Sequence, residues 1–190
     1  MKAADFDILT VPGWTSAGPG HWLSRWEAKL STARRVDQAD WETPRLEDWV
    51  ATLEQAASEA TKPIVFVAHS CGVTALVHAA SLPGSAVAAR TAGAFLVAPP
   101  DHDADSESWL SRNGGFVNPP MQPLPFPCEV VASANDPHCA LNRAEAFAAS
   151  WGAKLRHAGE AGHINTASGH GPWPEGSLAF ALFLKSLRQH

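Results

Sequence analysis

Residues 63–77, Pro-Ile-Val-Phe-Val-Ala-His-Ser-Cys-Gly-Val-Thr-Ala-Leu-Val, restrict the fold more than any other stretch. Ile64 to Ala68 is an unbroken apolar run, mostly β-branched or aromatic, as a parallel strand is when both its faces are covered. From Cys71 to Ala80 there is no proline, and Val73, Leu76, Val77 and Ala80 recur at helical spacing. A buried strand that turns at once into a helix belongs to α/β architecture. The corner itself, Ala68-His-Ser-Cys-Gly72, has small residues where a branched side chain collides with the neighbouring strand and helix. It fits the pattern G-x-S-x-G, with alanine in the first small position, which sets a serine hydroxyl on a sharp strand-to-helix turn.

The rest of the chain repeats the alternation. Phe6 to Val11 reads as a first strand, running into the loop Pro12-Gly-Trp-Thr-Ser-Ala-Gly-Pro-Gly20. A helix over 21–30 aligns Trp22, Trp26 and Leu30, and 34–37 reads as a short second strand. Thr43 and Pro44 are expected at the cap and first position of the next helix. Its buried stripe is Leu46, Trp49, Val50, Leu53, Ala57 and Ala60. Further strands fall at 92–98, 128–133 and 154–157. Helices are expected over 140–151 and over 176–187, the latter burying Leu178, Ala179, Leu182 and Phe183. The pattern predicts a parallel sheet of about six strands with helices on both faces, in a single domain spanning 1–190. Between strands four and five, residues 99–127 hold seven of the fifteen prolines. A stretch of that length without a regular element is often functional, and it leaves the strand edge where open α/β sheets bind ligands. It is expected to be a flap over a site.

Composition narrows the function classes. The 190 residues are 45% hydrophobic and 17% charged, as in a globular protein, and the net charge of −5 favours neither nucleic acid nor an anionic membrane. Three cysteines, Cys71, Cys128 and Cys139, cannot close a disulfide framework and suit a reducing compartment. No basic-then-apolar leader and no membrane-length apolar run is visible. A cytoplasmic location is expected.

A serine at such a corner needs a base within hydrogen-bonding reach. Histidine can accept and return the proton near neutral pH, and an acid orients it. On this fold the partners follow in the order serine, acid, histidine, each after a strand. Asp136, in Ala134-Asn-Asp-Pro137, follows the fifth strand; His163, in Ala161-Gly-His-Ile164, follows the sixth. By analogy with other proteins built on this corner, the oxyanion donors are expected from backbone: the N–H of Cys71 at the start of its helix, and the N–H of Trp14 after strand one.

Together, Ala68-His-Ser-Cys-Gly72, Ser133-Ala-Asn-Asp-Pro137 and Gly162-His-Ile-Asn165 resemble the signature segments of small single-domain serine hydrolases of the α/β-hydrolase superfamily. That group includes the retinoblastoma-binding protein nine family and its bacterial relatives. The loop Pro12-Gly-Trp14 and the chain length agree. The resemblance implies a three-layer α/β-hydrolase fold lacking the first two strands of larger relatives, with catalytic roles at Ser70, Asp136 and His163. Ala68 departs from the glycine that many relatives carry.

The expected activity is cleavage of a small ester, thioester or amide through an acyl-enzyme intermediate, with no cofactor and no metal. The partner is then a small-molecule acyl substrate; a protein partner is not indicated. Two other readings stand beside it: an interaction protein with a vestigial site, and an acyltransferase. Within the chain, Cys71 competes as nucleophile, but that register puts Val73 in the tight turn. Ser16, the acids Asp101, Asp103 and Asp105, and the base His170 are weaker rivals. A metal grouping of Asp136, His138, Cys139 and His163 matches no standard zinc spacing. His69, Trp109 and Phe116 are expected at the substrate. Trp14, Met121 and Trp173 complete an apolar pocket suited to an uncharged or aromatic acyl group.

Overall fold

The computed structural model describes residues 3–187, so both ends of the expected 1–190 span lie outside the described residues. Its centre is a six-stranded sheet in which every neighbouring pair is parallel. The strands are β1 (Asp7–Val11), β2 (Ala33–Arg35), β3 (Ile64–His69), β4 (Thr91–Val97), β5 (Cys128–Ala132) and β6 (Lys154–His157). They lie in the order β2-β1-β3-β4-β5-β6. The chain runs outward from β1 to β2, then crosses back to β3. The order therefore reverses between β1 and β3, and ligands of open α/β sheets bind at such a reversal.

Seven α-helices occur among the described residues: α1 (Trp22–Lys29), α2 (Leu46–Glu59), α3 (Cys71–Ala80), α4 (Ala86–Arg90), α5 (Trp109–Arg112), α6 (Leu141–Trp151) and α7 (Pro174–Ser186). Side chains of a strand alternate between faces, and the sheet sorts its apolar residues accordingly. Leu9, Phe66, Ala68, Leu96 and Val130 pack on one face with Trp49, Leu53, Val73, Leu76, Phe147 and Trp151 of α2, α3 and α6. Ile8, Val65, Val67, Phe95, Val97 and Val131 pack on the other with Trp22, Leu23 and Trp26 of α1 and Phe180 and Phe183 of α7. The result is three layers, with β3 buried at every position. No helix of the described residues is long and apolar enough to cross a membrane.

Several boundaries differ from the sequence reading. Thr43 does not cap α2. The Asp40 carboxylate takes the N–H groups of Glu42 and Thr43, each at 2.8 Å, and the Thr43 hydroxyl as well. That closed turn holds the chain outside the helix, which begins at Leu46, whose N–H donates to the Gly114 carbonyl. β4 stops at Val97 because Ala98 turns to φ 51°. Two short helices, α4 and α5, lie where no element was expected. Glu54 of α2 holds the start of α4, accepting from Ser85 Oγ and the N–H groups of Ala86 and Val87.

The buried face of α7 is also different. Leu178 and Leu182 are 63% and 50% exposed, while Gly176, Ala179, Phe180 and Phe183 are buried. Apolar residues occur around much of this helix, so periodicity alone does not select a face. The two phenylalanine rings do, because they find Trp26 and Phe95: Phe180 lies 5.4 Å from Trp26 and 5.5 Å from Phe95, between ring centroids. Phe180→Ala is expected to lower stability by roughly 3–5 kcal/mol, and Leu178→Ala to shift it by less than about 0.5 kcal/mol. Urea denaturation of the two variants separates these outcomes.

Candidate active site

The corner after β3 is as sharp as its sequence requires. Ser70 stands at φ 56° and ψ −128°, a strained conformation for a residue with a Cβ. The strain is sustained by close backbone approach on the side of β1. A Cβ on Gly72 would lie 2.3 Å from the Val11 carbonyl oxygen, and one on Gly13 would lie 2.8 Å from Ser70 Cβ. Both positions need glycine for room. The corner projects Ser70 Oγ away from the sheet, and Val73 closes the first turn of α3 by donating to the Ser70 carbonyl at 2.8 Å.

His163 and Asp136 meet this serine from the other half of the sheet. Ser70 Oγ–H donates to His163 Nε2 at 2.8 Å, and His163 Nδ1–H donates to the Asp136 carboxylate oxygens at 2.9 and 3.0 Å. The two loops that carry them are stitched together. Asn135 Oδ1 accepts the Gly162 N–H at 2.7 Å, Ser133 Oγ accepts the Ala161 N–H at 2.9 Å, and Ala134 N–H donates to Gly159. A third hold comes from β3 itself. His69 Nε2–H donates to the His163 carbonyl at 2.9 Å, so the residue before the serine fixes the backbone of the histidine. A fourth comes from α1, where the Trp22 indole N–H donates to the Ile164 carbonyl at 2.8 Å.

These groups open into a cavity of about 390 Å³. Its walls include Trp14, Thr15 and Ser16 from the loop after β1, and His21, His69, Ser70 and Cys71. Asp101, His102, Asp105 and Leu110 contribute from the 99–127 segment, and Asn165 and Thr166 from the loop after β6. Trp109 and Phe116, expected at the substrate, are not among the lining residues. Phe116 is fully buried, its ring 5.5 Å from Trp49, and Trp109 packs on the same core. Met121 is exposed, and Trp173 stacks on Trp26 beneath the site. Of the expected aromatic lining Trp14 is present, and the rest of the wall mixes imidazoles and hydroxyls with Pro100 and Leu110.

The rivals, several of them in the cavity wall, are not part of the line from Ser70 to Asp136. His170 turns to Ser168 and lies outside the lining. Asp101 is bound by Arg143 Nε at 3.2 Å and by Asn118 Nδ2 at 2.9 Å, and Asp103 also approaches Arg143. Cys71 Sγ lies 3.9 Å from Ser70 Oγ, but burial raises its pKa to about 11, which leaves it a thiol at neutral pH. The N–H groups of Trp14 and of Cys71 itself come near enough to that sulfur to offset part of the rise. Both amides thus lie close to the Cys71 sulfur, which is itself 3.9 Å from Ser70 Oγ. The sequence reading missed His21, His102, Asn135 and Ser133 as contributors. For Asn135 and Ser133 a signal existed, since both belong to the quoted segment around Asp136.

The imidazoles around His163 are kept neutral. Burial lowers the pKa of His21 and of His102 to about 4, and holds His69 well below its ordinary value. Burial lowers His138 too; its ring meets that of His163 edge-on at 4.5 Å. In the unfolded chain these groups titrate near 6.5. Between that value and about 4 the unfolded state binds more protons than the folded one, so stability rises with pH through this window. The urea midpoint is expected to fall steadily from pH 7 to pH 4.5, with a smaller fall for His102→Gln.

A family model described as serine hydrolase matches residues 8–182. Among solved structures, the chain is similar to a protein of Pectobacterium atrosepticum described as a YdeN-like hydrolase. The two are 30% identical, the match covers 97% of this chain and 94% of that one, and the TM-score is 0.84. The ydeN gene product of B. subtilis is 19% identical over 97% of this chain and 100% of its own, with a TM-score of 0.74. Esterase 2 of Thermogutta terrifontis is 18% identical over 98% and 86%, with a TM-score of 0.71. At such identities the last two show a shared fold. No curated protein matches the chain in sequence.

Proposed function

The chain belongs to the serine hydrolase family, and on that footing we propose that it cleaves a small ester, thioester or amide through an acyl-enzyme formed on Ser70. One observation carries this reading: the unbroken line from Ser70 Oγ through both nitrogens of His163 to Asp136, at 2.8 and 2.9 Å. His163 Nε2 takes the hydroxyl proton as Ser70 Oγ bonds to the acyl carbon. Asp136 keeps the proton on Nδ1 and stabilises the imidazolium that forms. The developing oxyanion is received by the N–H groups of Trp14 and Cys71, the latter at the start of α3 where the helix dipole favours negative charge. Collapse expels the alcohol, thiol or amine, which takes the proton from His163. Water then enters by the same route in reverse and frees the acid.

The described residues are read as one domain, with 99–127 as a flap that forms one wall of the cavity. The lining bears two carboxylates, Asp101 and Asp105, and neither lysine nor arginine. Its histidines other than His163 are neutral at pH 7, so nothing there compensates an anion. The substrate is accordingly an acyl compound without negative charge. Three buried, unpaired thiols fit a reducing compartment, the cytoplasm.

A fluorophosphonate probe is expected to label the purified protein, and Ser70→Ala to abolish labelling. Asp136→Asn is expected to label slowly and to lose on the order of 10⁴ in kcat, because the wrong imidazole tautomer is then favoured. Labelling that persists in Ser70→Ala, or silence across a p-nitrophenyl ester series without labelling, overturns the proposal, and the latter favours an interaction protein. Among esters of equal length, p-nitrophenyl butyrate should exceed its carboxylate-bearing succinate counterpart in kcat/KM by roughly tenfold or more, the repulsion expected from Asp105.

A further inference from the structure

The turn that carries Trp14 has a backbone that non-glycine residues adopt only when their surroundings hold them there. Thr15 and Ser16 both lie in the left-handed region, at φ 63° and 65°. The Ser16 N–H closes the turn on the Gly13 carbonyl at 3.1 Å, and the Thr15 N–H donates to Trp41 at 3.0 Å. The Trp14 indole donates to the Glu42 carbonyl at 3.0 Å.

Arg35, the last residue of β2, grips the same turn from another direction. Its Nη1 donates to Ser16 Oγ and to the Ala17 carbonyl, both at 3.0 Å. Its Nη2 donates to Ser24 Oγ and Glu27 Oε2, both at 2.7 Å, and its Nε to Glu27 Oε1 at 3.1 Å. Ser24 donates onward to the same Ala17 carbonyl at 2.8 Å, and Thr10 of β1 donates to Glu27. One planar fork thus joins the turn to α1 and, through Glu27, to β1. Thr10 and Arg35 are also paired in the sheet register. The charge of Arg35 is matched by Glu27, and Arg35 does not line the cavity. Its reach to the reacting atoms is geometric, through Ser16 and Ala17.

We propose that Arg35 is a positioning residue for the oxyanion hole: it holds the turn from Gly13 to Ala17 so that the Trp14 N–H meets the Cys71 N–H at the substrate oxygen. The inference rests on the acyl-transfer reading above and adds to it a residue two strands away from Ser70. Lysine cannot replace it. A single ammonium has no rigid fork and cannot span Ser16, Ala17, Ser24 and Glu27 together. The contribution belongs to the transition state, because the oxygen gains its charge only there.

The test compares wild type, Arg35→Lys, Arg35→Ala and Ser16→Ala on p-nitrophenyl butyrate, with reactive Ser70 counted in each by fluorophosphonate titration. Per titrated site, kcat is expected to fall roughly 10²-fold in both Arg35 variants, as an ångström-scale displacement of a positioned group does. KM should change little. Affinity for a boronic acid that mimics the tetrahedral intermediate should fall by the same factor as kcat/KM. Millimolar guanidinium should restore part of the rate to Arg35→Ala. Should Arg35→Ala fail to fold, Arg35→Lys and Ser16→Ala carry the comparison. A kcat per titrated site equal to wild type, or boronic-acid affinity unchanged while kcat falls, overturns the inference alone. A wild-type protein that neither labels at Ser70 nor turns over an ester overturns the acyl-transfer reading and this inference with it.

Discussion

The backbone of Gly72 passes so close to the carbonyls of Val11 and Pro12 that no side chain fits between them. This contact sets how near α3 stands to the end of β1, and with it the distance between the loop after β1 and the corner at Ser70. Gly13 answers it from the opposite side, leaving room for Ser70 Cβ. Two strands that are neighbours in the sheet are thereby locked at the point where the strand order reverses. The strained backbone of Ser70 persists because both flanks are fixed: β3 by complete burial, α3 by its helical bonds and its packing on α2. Everything else in the cavity is positioned relative to this joint.

Much of the fold could be read from the chain because its signals were local and strong. The run from Ile64 to Ala80 predicts strand, corner and helix, and the structure has all three. Of the expected α2 stripe, Trp49, Leu53 and Ala57 are buried, Ala60 is buried just beyond the helix end, and Leu46 and Val50 are half-buried. What failed was decided by tertiary partners. The first N–H of α2, that of Leu46, is taken by the distant Gly114 carbonyl, and the face of α7 depends on rings contributed by α1 and β4. Neither is visible in a window of ten residues.

The site divides in the same way. Ser70, His163 and Asp136 stand together because order along the chain and strand ends suffice to select them, although their catalytic roles remain the proposal made above. The lining was misjudged for a physical reason. Aromatic residues in a proline-rich loop were read as facing a substrate, yet Phe116 meets Trp49 and leaves water altogether. A buried core is the stronger claim on a large ring. The groups that face the cavity instead are imidazoles and short polar side chains, scattered over five loops and helices, with no spacing to mark them. Arg35 is equally illegible, since its partners lie on the preceding helix and on the loop before that helix.

The indole of Trp22 gives the molecule a further property. It belongs to the aromatic cluster beneath the sheet, in contact with Trp26 and Trp173, and its N–H holds the Ile164 carbonyl directly after His163. The backbone of the proposed base is thus registered against a hydrophobic layer rather than against the sheet alone. A cavity opened anywhere in that layer lets the indole drift, and the imidazole drifts with it. On this side of the protein, packing density is therefore expected to govern how firmly the imidazole is held, and loosened variants to lose that registration before they lose their fold.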